Sequence, residues 1–473
     1  MPFSKAPWGV FLRTAGSRLA FGLTLVLLLA VACSSTPDSE TMATPNPTST
    51  ISPTQEPVPT AVIEPAELTV EDLLAEIERG IEDIRGIDTP PPAEYNFVDQ
   101  DGMRARLAEE LNDPETLEQI AHESALFKLL GLIPQDADLG EIYDSLFGSQ
   151  VLGLYDPEKE EFFVLGDDQS GSESLDVEAQ LTYAHEYVHR LQDAKFDLDA
   201  VKELATGDDM GLAISALVEG DATSAQSQYM LANYDFAELS ELLESALASQ
   251  EDLPDTPYFL QQTLEFSYTE GAAFISIILQ LGQFAAVDAV FVDPPKSTEQ
   301  IMHPEKYFDK EDPIEIDIPD DAMRGGWTVQ AENVMGEFFL RTWLEALGSE
   351  NATAAAAGWG GDAYAVYEDS SSGETGLAVT IAWDTSDDST EFFKAITDAM
   401  GADDNYSAVG DGIPGVLESW KTPGGYMVIS RWTSDDVTDR IAIGIGSSVD
   451  VAKDLQLAGA HEYWDGTEIT ILD

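Results

Sequence analysis

The pentapeptide His185-Glu186-Tyr187-Val188-His189 constrains this chain more than any other feature. It lies inside a segment, Val177–Asp193, whose pattern predicts a helix. Residues at i and i+4 of a helix lie one above the other, so both imidazoles can reach one metal ion. With five His among 473 residues, the expected number of such patterns by chance is on the order of 0.005. Two other His-Glu pairs, His122-Glu123 and His461-Glu462, lack a second His and read as surface or capping residues. The rival reading of 185–189 is a buried amphipathic helix whose two His are merely hydrogen-bonded.

Composition narrows the chemistry. There are 22 Lys+Arg against 89 Asp+Glu, a formal charge of −67. Binding to phosphate relies on Lys and Arg, so nucleic acid is excluded as a partner. The same excess disfavours electrostatic adhesion to anionic lipid and is read as a high-salt surface or as colloidal solubility. One Cys excludes a disulfide framework and a Cys-based zinc ribbon. Any reaction must therefore use His, carboxylates and hydroxyls. A hydrophobic share of 44% supports a sizeable core, and the length suggests two or three domains.

The amino terminus reads as a processing signal. Lys5, Arg13 and Arg18 precede an apolar run, Leu19–Ala32, of signal-sequence length. Ala30-Val31-Ala32-Cys33 resembles a bacterial lipobox, which implies cleavage before Cys33 and lipidation of its thiol. An ordinary signal peptide cut near Ala32 is the alternative. Residues 34–65 contain 19 Ser, Thr or Pro out of 32 and no aromatic, the composition of an extended tether. The expected location is the extracytoplasmic face of the cell membrane, held by a lipid at Cys33.

From Ala66 the spacing of Leu68, Val70, Leu73, Leu74, Ile77, Ile81 and Ile84 predicts a helix that Pro90-Pro91-Pro92 breaks. Further helices are expected at 101–111, 114–130, 177–193, 210–234, 269–284 and 328–347. Gln150–Tyr155 and Glu160–Leu165 read as a hairpin around Asp156-Pro157-Glu158-Lys159. A polar Gly/Ser loop, Gly166–Ser174, follows. After Gly348, strands are expected at 363–367, 377–383, 426–432 and 440–446, with helices at 386–400 and 449–457. Gly358-Trp359-Gly360-Gly361-Asp362 reads as a tight turn capped by an aromatic. The domain reading is a leader 1–33, a tether 34–65, a main domain 66–347 and a small α+β module 348–473.

A catalytic zinc wants three protein ligands and an open position. Metzincins need Gly at 192 and His at 195, where this chain has Gln192 and Lys195. Asp193 lies too far along the helix axis from His185 to share the ion and reads as a capping group or an outer partner of the site. The remaining option is a Glu from a following helix. Glu219, in Leu217-Val218-Glu219-Gly220-Asp221-Ala222-Thr223, sits among small residues that let its helix pack close to the first. Buried unpaired, such a Glu would be costly, and a metal removes that cost. Its alternative reading is one more solvated acid among 89.

HEYVHRLQD, LVEGDAT and the stretch Pro294-Pro295 through His303-Pro304-Glu305-Lys306-Tyr307 together resemble secreted, zincin-like proteins of prokaryotes and, more broadly, gluzincin metallopeptidases. The likeness spans roughly residues 100–350. It implies Zn2+ held by His185, His189 and Glu219, with Glu186 as the base that takes a proton from water. It also implies a mainly helical zincin-like core with a short hairpin or edge sheet; with the small α+β module that the pattern after Gly348 predicts, the expected fold class is α+β. Thermolysin-like gluzincins follow the ligand Glu by an Asp four residues on that orients a His. This chain has Thr223 there, and Asp221 two residues on is the nearest substitute.

A peptidase also needs a donor for the oxyanion. His303, Tyr307 and Tyr268 are the candidates by chemistry, although His303-Pro304 as a turn and both Tyr as packing residues account for them equally. The hairpin 150–165 is a candidate edge strand for an extended substrate. The functional expectation is a cell-surface zinc hydrolase acting on a peptide or protein. Its rivals are a non-enzymatic surface binding protein on the same scaffold, and a zinc amidase or esterase on a non-peptide substrate. The sequence leaves the oligomeric state open.

Overall fold

The computed structural model describes residues 69–460 except 89, 91–93, 158, 166–174, 251–255, 324, 411–416 and 435–436. The leader with Cys33, the tether 34–65, the loop 166–174 and His461 lie outside the described residues.

The chain is α+β. It opens with α1 (Val70–Arg85), β1 (Glu94–Val98), α2 (Gln100–Leu111), α3 (Pro114–Leu130) and α4 (Leu139–Gln150). A hairpin, β2 (Gly153–Asp156) and β3 (Glu161–Leu165), leads into α5 (Val177–Phe196) and the short α6 (Leu198–Lys202). Then come α7 (Asp208–Asn233), α8 (Phe236–Gln250), α9 (Tyr258–Gly282), α10 (Phe284–Val292), α11 (Thr298–Met302) and α12 (Pro304–Asp309). The last part holds β4 (Trp327–Asn333), α13 (Gly336–Ala346), α14 (Ala352–Ala356), β5 (Trp359–Asp369), β6 (Thr375–Trp383) and α15 (Ser386–Ala402). It ends with β7 (Ser407–Ala408), β8 (Leu417–Thr422), β9 (Gly425–Ser434), β10 (Val437–Gly446) and α16 (Val449–Gly459).

The expected hairpin is present: β2 and β3 pair antiparallel, Gly153 opposite Val164 and Asp156 opposite Glu161. Sequence reasoning missed β1, which pairs parallel with β3 and makes a three-stranded sheet of order β1-β3-β2. The helix expected at 328–347 is two elements. Its first part is β4, whose residues alternate between half-buried and exposed, a period of two that only a strand satisfies. Only Gly336–Ala346 is helical.

β4 pairs with β5, so the C-terminal sheet begins at Trp327, ahead of the boundary expected at 348. That sheet has seven antiparallel strands in the order β4-β5-β6-β10-β9-β8-β7. Alternation along its central strands divides its two faces. Leu377, Val379 and Ile381 of β6 and Ile441, Ile443 and Ile445 of β10 join a large core with Phe392, Ile396 and Met400 of α15. Facing the other way, Ala378 and Gly444 are small, and α16 comes down close upon them. Trp359 is fully buried in β5, with Nε1–H donating to Asp362 (2.9 Å), so 358–362 starts a strand and is not an exposed turn.

The hydrophobic cores do not follow the expected domain boundary. α2, α3, α4 and α13 share one core with the C-terminal sheet. A second core joins α1, the hairpin, α5, α7 and the ends of α9 and α10. The HExxH motif at 185–189 belongs to the second.

Candidate metal centre

Helix α5 is started by Asp176, whose side chain accepts the Ala179 N–H (2.8 Å). It runs through the core, and every residue from Leu181 to Gln192 is buried. His185 and His189, one turn apart, have ring centroids 4.8 Å apart. Helix α7 brings Glu219 up to both. Its Oε2 lies 3.1 Å from His185 Nε2 and 3.4 Å from His189 Nε2. Ligand atoms roughly 2.0–2.2 Å from a tetrahedral zinc stand about 3.3 Å from one another. Glu219 thus stands from each imidazole nitrogen at the spacing such an ion needs, and ligand atoms of all three side chains lie within 4.8 Å of one another. His189 Nε2 is buried with only the long 3.4 Å approach to Glu219, a place that a proton or a metal ion would fill. The residues fit zinc.

The charges agree with that reading. Burial alone would raise Glu219, but the two imidazoles outweigh it and hold the carboxyl down at about 2. Burial alone would lower His189, but Glu219 and Glu186 outweigh it and push the ring up to about 9. His185 follows its burial and is lowered. Without metal, a proton on His189 supplies the positive charge that Glu219 needs, and a metal ion would take its place.

Glu186 is 0% exposed, and neither carboxylate oxygen has a hydrogen bond of good geometry. Burial pushes it up to about 8, with His189 and the Tyr155 backbone amide acting the other way. A divalent charge beside it would pull it down further. The close neighbour is β2. A Cβ on Gly153 would stand 2.7 Å from Glu186 Oε1 and 2.7 Å from Thr182 Cγ2, so only glycine lets the strand pass this near the acid.

Behind the ligands stands a layer that sequence reasoning only partly found. His189 Nδ1 meets Gln192 Oε1 at 2.9 Å. Gln192 Nε2 donates to Val218 O (3.0 Å) and to Asp221 Oδ2 (2.8 Å). Asp221 is thus an outer partner of the site, as expected, but through Gln192. It also receives Arg85 of α1, whose Nε lies 3.0 Å from Oδ2. The Gln226 amide nitrogen donates to Leu181 O (2.9 Å), and the same side chain is a hydrogen-bond partner of His185. Thr223 Oγ1 is buried without a partner and takes no part in orienting a ligand. Asp193 accepts from Tyr155 Oη (3.0 Å) and from the Leu198 N–H (3.1 Å), fastening β2 to α5 and closing the turn into α6.

The three oxyanion candidates part company. Tyr268 of α9 stands by the site, its ring 6.1 Å from that of His185 and packed with Leu146 and Leu264. His303 Nε2 is engaged by Glu337 Oε1 (2.9 Å), and Tyr307 Oη donates to Asp293 O (2.9 Å). They sit in the α11–α12 region, where Thr298 bonds Asp209 at the start of α7. Glu219 lies ten residues further along that helix, about 15 Å away by its rise. The structure does not bring His303 or Tyr307 into contact with the ligands.

The small residues around Glu219 serve a different neighbour from the one expected. A Cβ on Gly220 would land on the Gly271 carbonyl, and one on Gly271 would land on the Ala216 carbonyl oxygen. They let α7 cross α9 at backbone contact, while α5 meets α7 on another face.

A family described as a domain of unknown function (DUF8575) matches residues 327–455. That span covers the seven-stranded sheet from β4 onward and does not reach the metal centre. No curated protein and no solved structure matches the chain.

Proposed function

We propose that this chain is a zinc-dependent hydrolase of the cell surface, a peptidase on a gluzincin-like core, tethered by lipid at Cys33. One observation carries the reading. A buried Glu186, met by no side-chain hydrogen-bond partner and only by the Tyr155 backbone amide, stands beside three candidate ligand atoms that lie within 4.8 Å of one another. A site that only held the fold together has no use for that acid.

When bound, zinc would polarise a carbonyl oxygen and make water acidic enough to lose a proton near neutral pH. His185, His189 and Glu219 would hold it. Glu186 would take the proton from the attacking water on a carboxylate oxygen and deliver it to the departing amine. Tyr268, beside His185, is the nearest of the three candidates to assist a developing oxyanion. β2 is the edge strand and sets Gly153 against Glu186, but its four residues are buried, so an extended peptide could lie along it only once what covers it has moved.

The burial of the site favours one rival, a zinc that serves as structure. His185, Glu186, His189 and Glu219 are between 0% and 5% exposed, so a substrate reaches them only if a covering segment moves. Glu186→Gln separates the two readings. Peptide hydrolysis should fall by about 10²- to 10⁴-fold with zinc content unchanged. Hydrolysis that survives the substitution would exclude Glu186 as the base.

A further inference from the structure

We propose that the metal centre is completed by the N-terminal helix α1, with Arg85 acting as a positioning residue for His189 through Asp221 and Gln192. The inference rests on the zinc reading above and concerns residues that the ligand set does not include.

The contacts form one buried chain. Arg85, Asp221 and Gln192 are 1%, 0% and 0% exposed. Arg85 Nε lies 2.9 and 3.0 Å from the two Asp221 oxygens, and Nη1 lies 2.9 Å from Asp288 Oδ1. The guanidinium carbon stands 4.9 Å from the centre of the Phe284 ring. The Arg is thus fixed by charge on two sides and by an aromatic face.

The chain has a direction because an amide has two different ends. Val218 O and Asp221 Oδ2 are both acceptors, so both demand the NH2 end of Gln192. Its carbonyl oxygen is left for His189, and a carbonyl accepts only from N–H. His189 must then carry its proton on Nδ1, which leaves the Nε2 lone pair facing Glu219 and the ion. Asp221 is placed to impose this because Arg85 Nε donates to Oδ2 and holds Oδ1 by charge at 2.9 Å. Without Arg85 a carboxylate is left unpaired in the core, and it relaxes away from Gln192.

The experiment is zinc affinity in the full chain, by competition with a chromophoric chelator, beside the melting temperature of the zinc-free protein. Arg85→Met and Asp221→Asn should each weaken zinc by about ten- to hundredfold. Arg85→Lys keeps the positive charge and should recover most of the loss. In the cobalt-substituted protein, the visible absorption of Arg85→Met should shift as the His189 ring loses its orientation. Tyr183→Phe is the control for packing. It removes the α1–α5 hydrogen bond from Tyr183 to Glu78 (2.6 Å) and should bind zinc like the wild type.

Arg85→Met binding zinc as tightly as the wild type would overturn the proposal. So would Tyr183→Phe weakening it equally, since α1 would then act only by packing. Should Arg85→Met fail to fold, Asp221→Asn and Arg85→Lys carry the same comparison. Wild-type protein that takes up no zinc would bring down the metal reading itself, a result seen before any variant is compared.

Discussion

Glu123 and Glu186 are both buried carboxyls pushed up to about 8, and their surroundings separate them. Glu186 has the His189 imidazole and the Glu219 carboxylate as its charged neighbours. Glu123 of α3 has burial as its chief cause, then the charge of Asp208, while a hydrogen bond from Tyr143 Oη (2.8 Å) works the other way. A folded-state pKa above the unfolded one means that the folded chain holds the proton longer. Stability is therefore highest below the unfolded value of 4.5 and is lost as pH rises toward about 8. Glu123→Gln keeps an acceptor for Tyr143 and removes this loss. Thermal melts of the two chains should agree near pH 5, with the variant the more stable at pH 8. A variant less stable than the wild type at pH 8 would contradict the assignment. None of this was legible in the sequence, where His122-Glu123 looks like an exposed pair. His185, Glu186 and His189 were legible, because their geometry is set by spacing along one helix. Arg85, Gln192 and Gly153 were not, because Arg85 and Gly153 reach the site only through tertiary packing, and Gln192 matters only through what α7 brings to it.

At the scale of elements, the crossing of α7 and α9 holds Glu219 in place. Glu219 stands next to Gly220 and three residues after Ala216, the two contact points with Gly271. An alanine in a helix is intrinsically better than glycine by about 1 kcal/mol. At Gly271 that gain is outweighed, because the new methyl meets the Ala216 backbone, which cannot rotate away. Overpacking of this kind costs roughly 1–3 kcal/mol. Gly271→Ala should lower the melting temperature and weaken zinc binding together, as α7 is pushed off. A variant that melts at or above the wild-type temperature would show that the crossing is not at backbone contact. The cluster of small residues was visible in the sequence and was assigned to packing against α5, whereas its backbone contact is with α9. The partner was not legible, since Gly271 sits in a segment whose own pattern reveals only a helix. The strand β4 was missed for a related reason. Seven residues of alternating burial, read together with the helix that follows, pass for one helical segment.

Across the whole molecule, the two hydrophobic cores are joined by contacts that the chain's charge makes distinctive. Lys306 Nζ lies 2.7 Å from Glu299, 2.7 Å from Glu311 and 2.6 Å from Asp384. Among the described residues this is the other carboxylate cluster close enough to share a cation, and a lysine already fills it. It ties α11 and α12 to the end of β6. In a chain with 22 basic residues against 89 acidic ones, one buried acid, Glu299, and two exposed ones, Glu311 and Asp384, gathered around one lysine use a scarce charge for assembly. The α+β class and the strands β5, β6, β9 and β10 were legible from β-branched runs. The sharing of one core between α2–α4 and the C-terminal sheet was not, since no local pattern says which helices a sheet will gather. The lipid anchor and tether remain proposals from residues 1–65.

The central claim is that one ion is held by His185, His189 and Glu219. Elemental mass spectrometry of the purified chain, beside Glu219→Ala, tests it most directly. About one zinc per wild-type chain is expected, lost or sharply weakened in the variant. Wild-type protein that stays metal-free after zinc is supplied, or a variant that keeps a full zinc, would contradict it.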